Sequence, residues 1–225
     1  MKILSIRRGF QSDHSSTSYE FFAVDKPLSK AAQRKIGGLS SRAMPTSQRV
    51  SFQYNGEWSD LPGGWTPLME KYYDVMYTES YDWWTLAVAF NADKKVIEKL
   101  EEYECDAADD LGLSISSKKS RVIIEISCVM NEVPHFGDQY RHADYYDEED
   151  EEEFISESED ALLNILVENR KLIMKENYSL LYGIWSQVVE ENEENDEDHA
   201  APQSYNMKKA PAPVKELLSL ISFRK

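Results

Sequence analysis

A chain of 225 residues with 41% hydrophobic and 12% aromatic content can bury one sizeable core, which excludes a wholly disordered polypeptide. Its formal charge of -16 argues against general nucleic-acid binding, and no stretch approaches the ~18 apolar residues that a bilayer span needs. The N-terminus lacks the apolar segment of a secretory signal, and two cysteines, Cys105 and Cys128, make no disulfide framework. The expectation is a cytoplasmic protein with no membrane contact and with both thiols reduced, buried and inert.

In chain order, Lys2 to Ile6 reads as a short opening strand. Tyr19 to Asp25 is aromatic and β-favouring, a second strand broken by Pro27. Ser29 is placed to cap a helix over 30–36, which Gly37-Gly38 closes. From Ser47 to Tyr54, Val50, Phe52 and Tyr54 share one face of a strand with a period of two. After a turn-rich stretch, Thr66-Pro67 predicts a helix start, with Thr66 as cap. Leu68, Tyr72, Val75 and Met76 follow as an apolar stripe at helical spacing. Trp84 to Phe90 reads as a buried strand in which Trp83 and Trp84 point to opposite faces. Asp93 caps a helix carrying Val96, Ile97 and Leu100. Leu111–Ser116 and Arg121–Val129 form a hairpin across residues 117–120.

Beyond Pro134 the composition changes. Ser158 is placed to cap a helix with Leu162, Ile165, Leu166, Ile173 and Met174. A second helical stretch aligns Leu181, Ile184, Trp185 and Val188, with a break near Asn177. The expected fold is α+β: a mixed β-sheet with helices on one face, plus a C-terminal helical appendage and acidic linkers. Its parts are an α+β domain over 1–134, an acidic linker over 135–160, and a helical segment over 161–189. That segment packs on the domain or on a partner. An acidic, Pro-rich linker over 190–213 and an amphipathic tail over 214–225 follow. The tail is too short to be a stable helix alone and must dock on something.

The charge is segregated. Residues 144–160 hold 11 acids in 17 positions and residues 190–198 hold 7 in 9, with no Lys or Arg in either run. Outside them 25 basic groups face 23 acidic ones, and the first fifty residues carry nine basic against three acidic. Like-charged blocks repel and are normally solvated, so they read as linkers or as surfaces that imitate phosphates toward a basic partner.

Candidate chemistry is sparse. His135, Asp138, His142 and Asp144 lie close together but match no zinc template, so neither a metal nor any other cofactor is expected. Ser15 to Ser18 beside Asp13 and His14 hold the residue types of a triad, but without a nucleophile elbow, and no catalytic residue is assigned. No glycine pair sits in a phosphate-loop context. Trp58, Trp65, Tyr72 and Trp83 are candidates to line a ligand pocket. Arg7, Arg8, Arg34, Arg42 and Arg49 are candidates for an anion-facing patch. Leu181, Trp185, Leu217, Leu220 and Phe223 are candidate partner contacts.

Several motifs resemble an uncharacterised prokaryotic protein family. They are Ser15-Ser16-Thr17-Ser18-Tyr19-Glu20-Phe21, Ala23-Val24-Asp25-Lys26-Pro27-Leu28, Leu39-Ser40-Ser41-Arg42-Ala43, Tyr54, Trp58, and Pro67-Leu68-Met69-Glu70-Lys71-Tyr72-Tyr73-Asp74. The resemblance covers roughly residues 15–105. It implies a protein without assigned activity that often accompanies a SWIM-type zinc-finger protein, hence a partner in a nucleic-acid-related system. The chain departs from that pattern after Tyr77, where Tyr81-Asp82-Trp83-Trp84 replaces an Asn-Trp-Gly turn followed by basic residues. Together these features favour a non-enzymatic accessory protein with a protein partner. A small-ligand protein or enzyme with an aromatic pocket ranks second. Direct nucleic-acid binding through the N-terminal basic residues ranks third.

Overall fold

The computed structural model describes residues 16–41, 43, 45–55, 61–80, 83–106, 111–130, 157–191 and 201–221. The expected opening strand at 2–6 lies outside them. Two kinds of sequence pattern build the sheet. Strands with one apolar parity, such as β2 (Arg49–Asn55) with Val50 and Phe52 inward, cover one core. Strands apolar at both parities serve two. In β4 (Trp83–Asn91), Leu86, Val88 and Phe90 enter one core, and Ala87 and Ala89 enter the other.

The remaining strands are β1 (Ser16–Phe22), β3 (Val75–Ser80), β5 (Cys105–Asp106), β6 (Leu111–Lys118) and β7 (Arg121–Val129). They form one seven-stranded sheet in the order β2-β1-β3-β4-β7-β6-β5. The fold is α+β. The sheet is not mixed, however, because every neighbouring pair is antiparallel. Val75 and Met76 do not continue the helix started at Thr66. That helix, α2 (Thr66–Lys71), stops after six residues, and Val75 opens a strand buried on both faces. β2 and β3 both run antiparallel to β1, so the connection that carries α2 crosses β1 and leaves β1 between them rather than pairing two parallel strands.

Helices lie on both faces rather than on one. α1 (Lys30–Gly37) and α2 pack on the core of Tyr19, Phe21, Val50, Phe52, Met76 and Ile123. The opposite face carries α3 (Lys94–Glu101), α4 (Glu157–Ile173), α5 (Ser179–Glu191) and α6 (Ala212–Leu220). Ser29 Oγ accepts from Ala32 N and Asp93 Oδ1 from Val96 N, so both caps lie where the sequence puts them. Position 65, not 66, precedes α2, and Trp65 makes no side-chain cap. α4 already contains Ser158. It ends in a turn with Glu176 at φ 58, where Asn177 N reaches Leu172 O and Glu176 N reaches Ile173 O. Asn177 Oδ1 then accepts from Ser179 N and starts α5.

The β6–β7 hairpin is tighter than expected. The strands run on to Lys118 and resume at Arg121, leaving Lys119 and Ser120 as the turn. Lys119 has φ 60, a region that costs a residue with a Cβ about 1 kcal/mol or more. Lys119→Gly is therefore expected to stabilise the fold by roughly 0.5–1 kcal/mol in urea unfolding.

Candidate functional site

The sequence-derived candidates separate in space. Of the aromatic set, Trp58 lies outside the described residues. Trp65 and Tyr72 are half-buried against the core under α1 and α2. Tyr72 adjoins Tyr73, whose carbonyl accepts from Arg121 at one end of β7. Trp83 pairs with Val129 at the other end of β7. One pocket does not hold both Tyr72 and Trp83. Trp84 packs against the larger core and lies 6.0 Å from Tyr77, whereas Trp83 on the opposite face is 47% exposed.

Of the arginine set, Arg7, Arg8 and Arg42 lie outside the described residues. Arg34 is exposed in the last turn of α1. Arg49 is buried, and its Nε donates to Glu20 Oε2 at 2.8 Å. An arginine held this way is spent on an internal carboxylate rather than presented to an outside anion.

Of the partner-contact set, Leu181 and Leu217 are fully buried in the core shared with the sheet, and present no surface to a partner. Trp185 and Leu220 are half-buried and pack against the same core. Tyr182 stacks on Trp185 at 6.1 Å. Phe223 lies outside the described residues, as do His135, Asp138, His142 and Asp144.

A polar network missing from the sequence reading ties the C-terminal helices to the sheet. Arg170, fully buried on α4, donates through Nε to Ala89 O at 2.8 Å and through Nη2 to Asp25 Oδ2 at 2.5 Å, with Asp74 Oδ1 3.6 Å away. Asp74 also accepts from Val24 N at 2.7 Å, Asp25 N at 2.8 Å and Arg121 Nη2 at 2.9 Å. Each charge is met by an opposite charge or by backbone, as burial demands. The available signal was positional. Arg170 follows Leu166 by four and precedes Ile173 by three, on the apolar stripe of α4, where a solvated arginine does not belong. The network is a structural clamp between α4 and the sheet.

The titratable groups point to one further place. Burial pushes the thiols of Cys105 and Cys128 up to about 12, so neither is a thiolate nucleophile at neutral pH. Glu125 also sits above the usual carboxylate range. Desolvation raises it, and hydrogen bonds from Ser127 and Ser114 pull it partly back. It lies on β7 opposite Ala87 of β4 and Ser114 of β6, on the face that Trp83 shares. Thr85, opposite Ser127, lies between them on the same face. The signal in RVIIEISCV was the single acid within an apolar strand. Because an acid raised by burial is penalised once ionised, Glu125→Gln is expected to be more stable than the parent above the native pKa of Glu125. The difference should vanish below its unfolded pKa, near 4.3. Urea unfolding at a series of pH values between about 3 and 8 checks this.

Among the described residues no group of three or more His, Cys, Asp or Glu side chains is placed to hold a metal ion. No helix among them is long and apolar enough to cross a membrane. No protein-family model, curated protein or solved structure matches the chain.

Proposed function

We propose that this chain is a non-enzymatic accessory protein that binds a basic partner protein through its acidic segments. The observation that carries this reading is the segregation of charge. Eleven acids crowd into residues 144–160 on a chain whose remainder, outside the two acidic runs, is close to neutral. A surface of that kind attracts cationic partners over a distance set by salt, and it repels nucleic acid. The resemblance over residues 15–105 supports an accessory role beside a nucleic-acid-handling protein, whose own phosphate-binding surface would be basic.

The experiment is affinity capture from the host lysate at low and high salt, with a second bait in which the acids of 144–153 are replaced by Asn and Gln. A stoichiometric basic partner should bind the parent at low salt, leave at high salt, and fail to bind the neutral bait. Equal capture by both baits would refute the reading. The helices do not supply the partner surface in this account, because most apolar residues of α4, α5 and α6 are used within the chain.

A further inference from the structure

On the sheet face that carries Trp83, α2 packs at the Arg121 end of β4 and β7, where Arg121 bonds Met69 O and Lys118 pairs with Glu70, and away from those contacts lies the Trp83 end of β4, β7 and β6. It carries Trp83, Thr85, Glu125, Ser127 and Ser114, with Val129 opposite Trp83. Trp83, Met174 and Val189 are the large apolar side chains most exposed among the described residues, and only Trp83 lies on the sheet.

The two ends of the acidic segment lie at the same end of the sheet as Trp83, one following β7 and the other at the start of α4 on the opposite face. Residues 131–156 leave the described chain at Met130, which follows Val129, the partner of Trp83. They rejoin it at Glu157, the start of α4. α4 runs along β3 and β4, and Arg170 near its end bonds Ala89 near the end of β4. From Arg170 back to Glu157 the helix spans about 20 Å at ~1.5 Å per residue. From Ala89 back to Trp83 the strand spans about 20 Å at ~3.3 Å per residue. The start of α4 therefore lies at the Trp83 end of the sheet. Both roots of the segment holding most of the 144–160 acids are at that end.

We propose that this end of the face is the docking surface for an extended peptide segment of the partner carrying two cationic side chains four residues apart. The inference rests on the function proposed above. An indole face attracts an ammonium or guanidinium group and takes its aliphatic stem. The half-buried Glu125 attracts a second cation. Glu125 opposes Ala87, four residues along β4 from Trp83, which is about 13 Å at ~3.3 Å per residue. An extended peptide has the same pitch, so cations at positions i and i+4 leave it on one side and meet the two groups together. Thr85 and Ser127 lie between and offer hydroxyls to the peptide backbone. No Lys or Arg among the described residues stands between Trp83 and Glu125 on this face to repel such a ligand.

The test uses the full chain and two fluorescein-labelled pentapeptides of equal charge, Lys-Thr-Val-Thr-Lys and Lys-Lys-Thr-Val-Thr, read by fluorescence anisotropy at low salt. The spaced peptide should bind more tightly than its isomer. Trp83→Ala should weaken it at least tenfold and erase the preference. Ser114→Arg, an exposed substitution on the same face, should weaken it independently of Trp83, and thermal melts confirm that both variants fold. If the spaced and adjacent peptides bind alike and Trp83→Ala changes neither, the docking surface is overturned. Loss of binding only when the acids of 144–153 are neutralised would then leave the acidic-segment function standing. If the parent binds neither peptide, this surface is again overturned, and the salt-dependent capture experiment separately decides the function.

Discussion

Replacing Arg170 with Met is expected to destabilise the protein by about 3–5 kcal/mol, the range found when one partner of a buried ion pair is removed. For a chain of this size that lowers the melting temperature by about 10 °C. The cause is local and specific. Without the guanidinium, Ala89 O loses its donor, and Asp74, itself buried, keeps Arg121 but loses the charge beyond it. The carboxylate of Asp25 is 46% exposed and can turn to water, so Asp25→Asn should cost about 1 kcal/mol or less. Calorimetry of both variants checks the prediction. Equal effects from the two would show that the Asp25 pair, rather than the buried contacts to Ala89 O and Asp74, carries the contribution of Arg170.

Leu217→Ala is expected to cost about 3 kcal/mol, because it opens a cavity in a core where Leu217 is fully buried. The half-buried Leu220 of the same helix should cost about 1 kcal/mol when changed to Ala. Chemical unfolding of the two variants reads the difference. The prediction changes the standing of the C-terminal tail. Read as a linker over 190–213 and a docking tail over 214–225, this part of the chain would be dispensable to the folding of the body. The structure reverses that expectation. Val214, Leu217 and Ile221 fill the same core as the sheet, and Met130 bridges to Ile221 at the end of β7. Asn169 on α4 donates to Pro213 O. Truncation before residue 201 would strip that core, so any loss of partner capture in such a variant would be confounded with unfolding.

The elements legible in the sequence were those whose signal is local. Ser29 and Asp93 cap helices because a side-chain oxygen three residues before a free N–H satisfies it whatever the rest of the chain does. The alternation in β2 and the double apolar parity of β4 needed only the pleat of a strand. Opposite placement of Trp83 and Trp84 needed no more. The misread segment, Leu68 to Met76, failed for a physical reason. Spacings of three and four at Leu68, Tyr72, Val75 and Met76 satisfy a helix, but Val75 and Met76 also begin a strand buried on both faces. Pairing with β1 and β4 won over local periodicity.

Residue content and order alone determined an α+β chain with enough apolar residues to fold and with its acids gathered in two runs. Both follow from which residues are present and in what order, and neither depends on a distant contact. Tertiary structure decided the rest. It placed α3–α6 on one face and α1–α2 on the other. It spent Leu181, Leu217 and Arg49 inside the molecule, separated Tyr72 from Trp83, and closed the Arg170–Asp74 clamp between residues nearly a hundred positions apart. The physical reason is that burial and ion pairing are set by which surfaces meet across the sheet, and that choice is made by strand order, which no local pattern encodes.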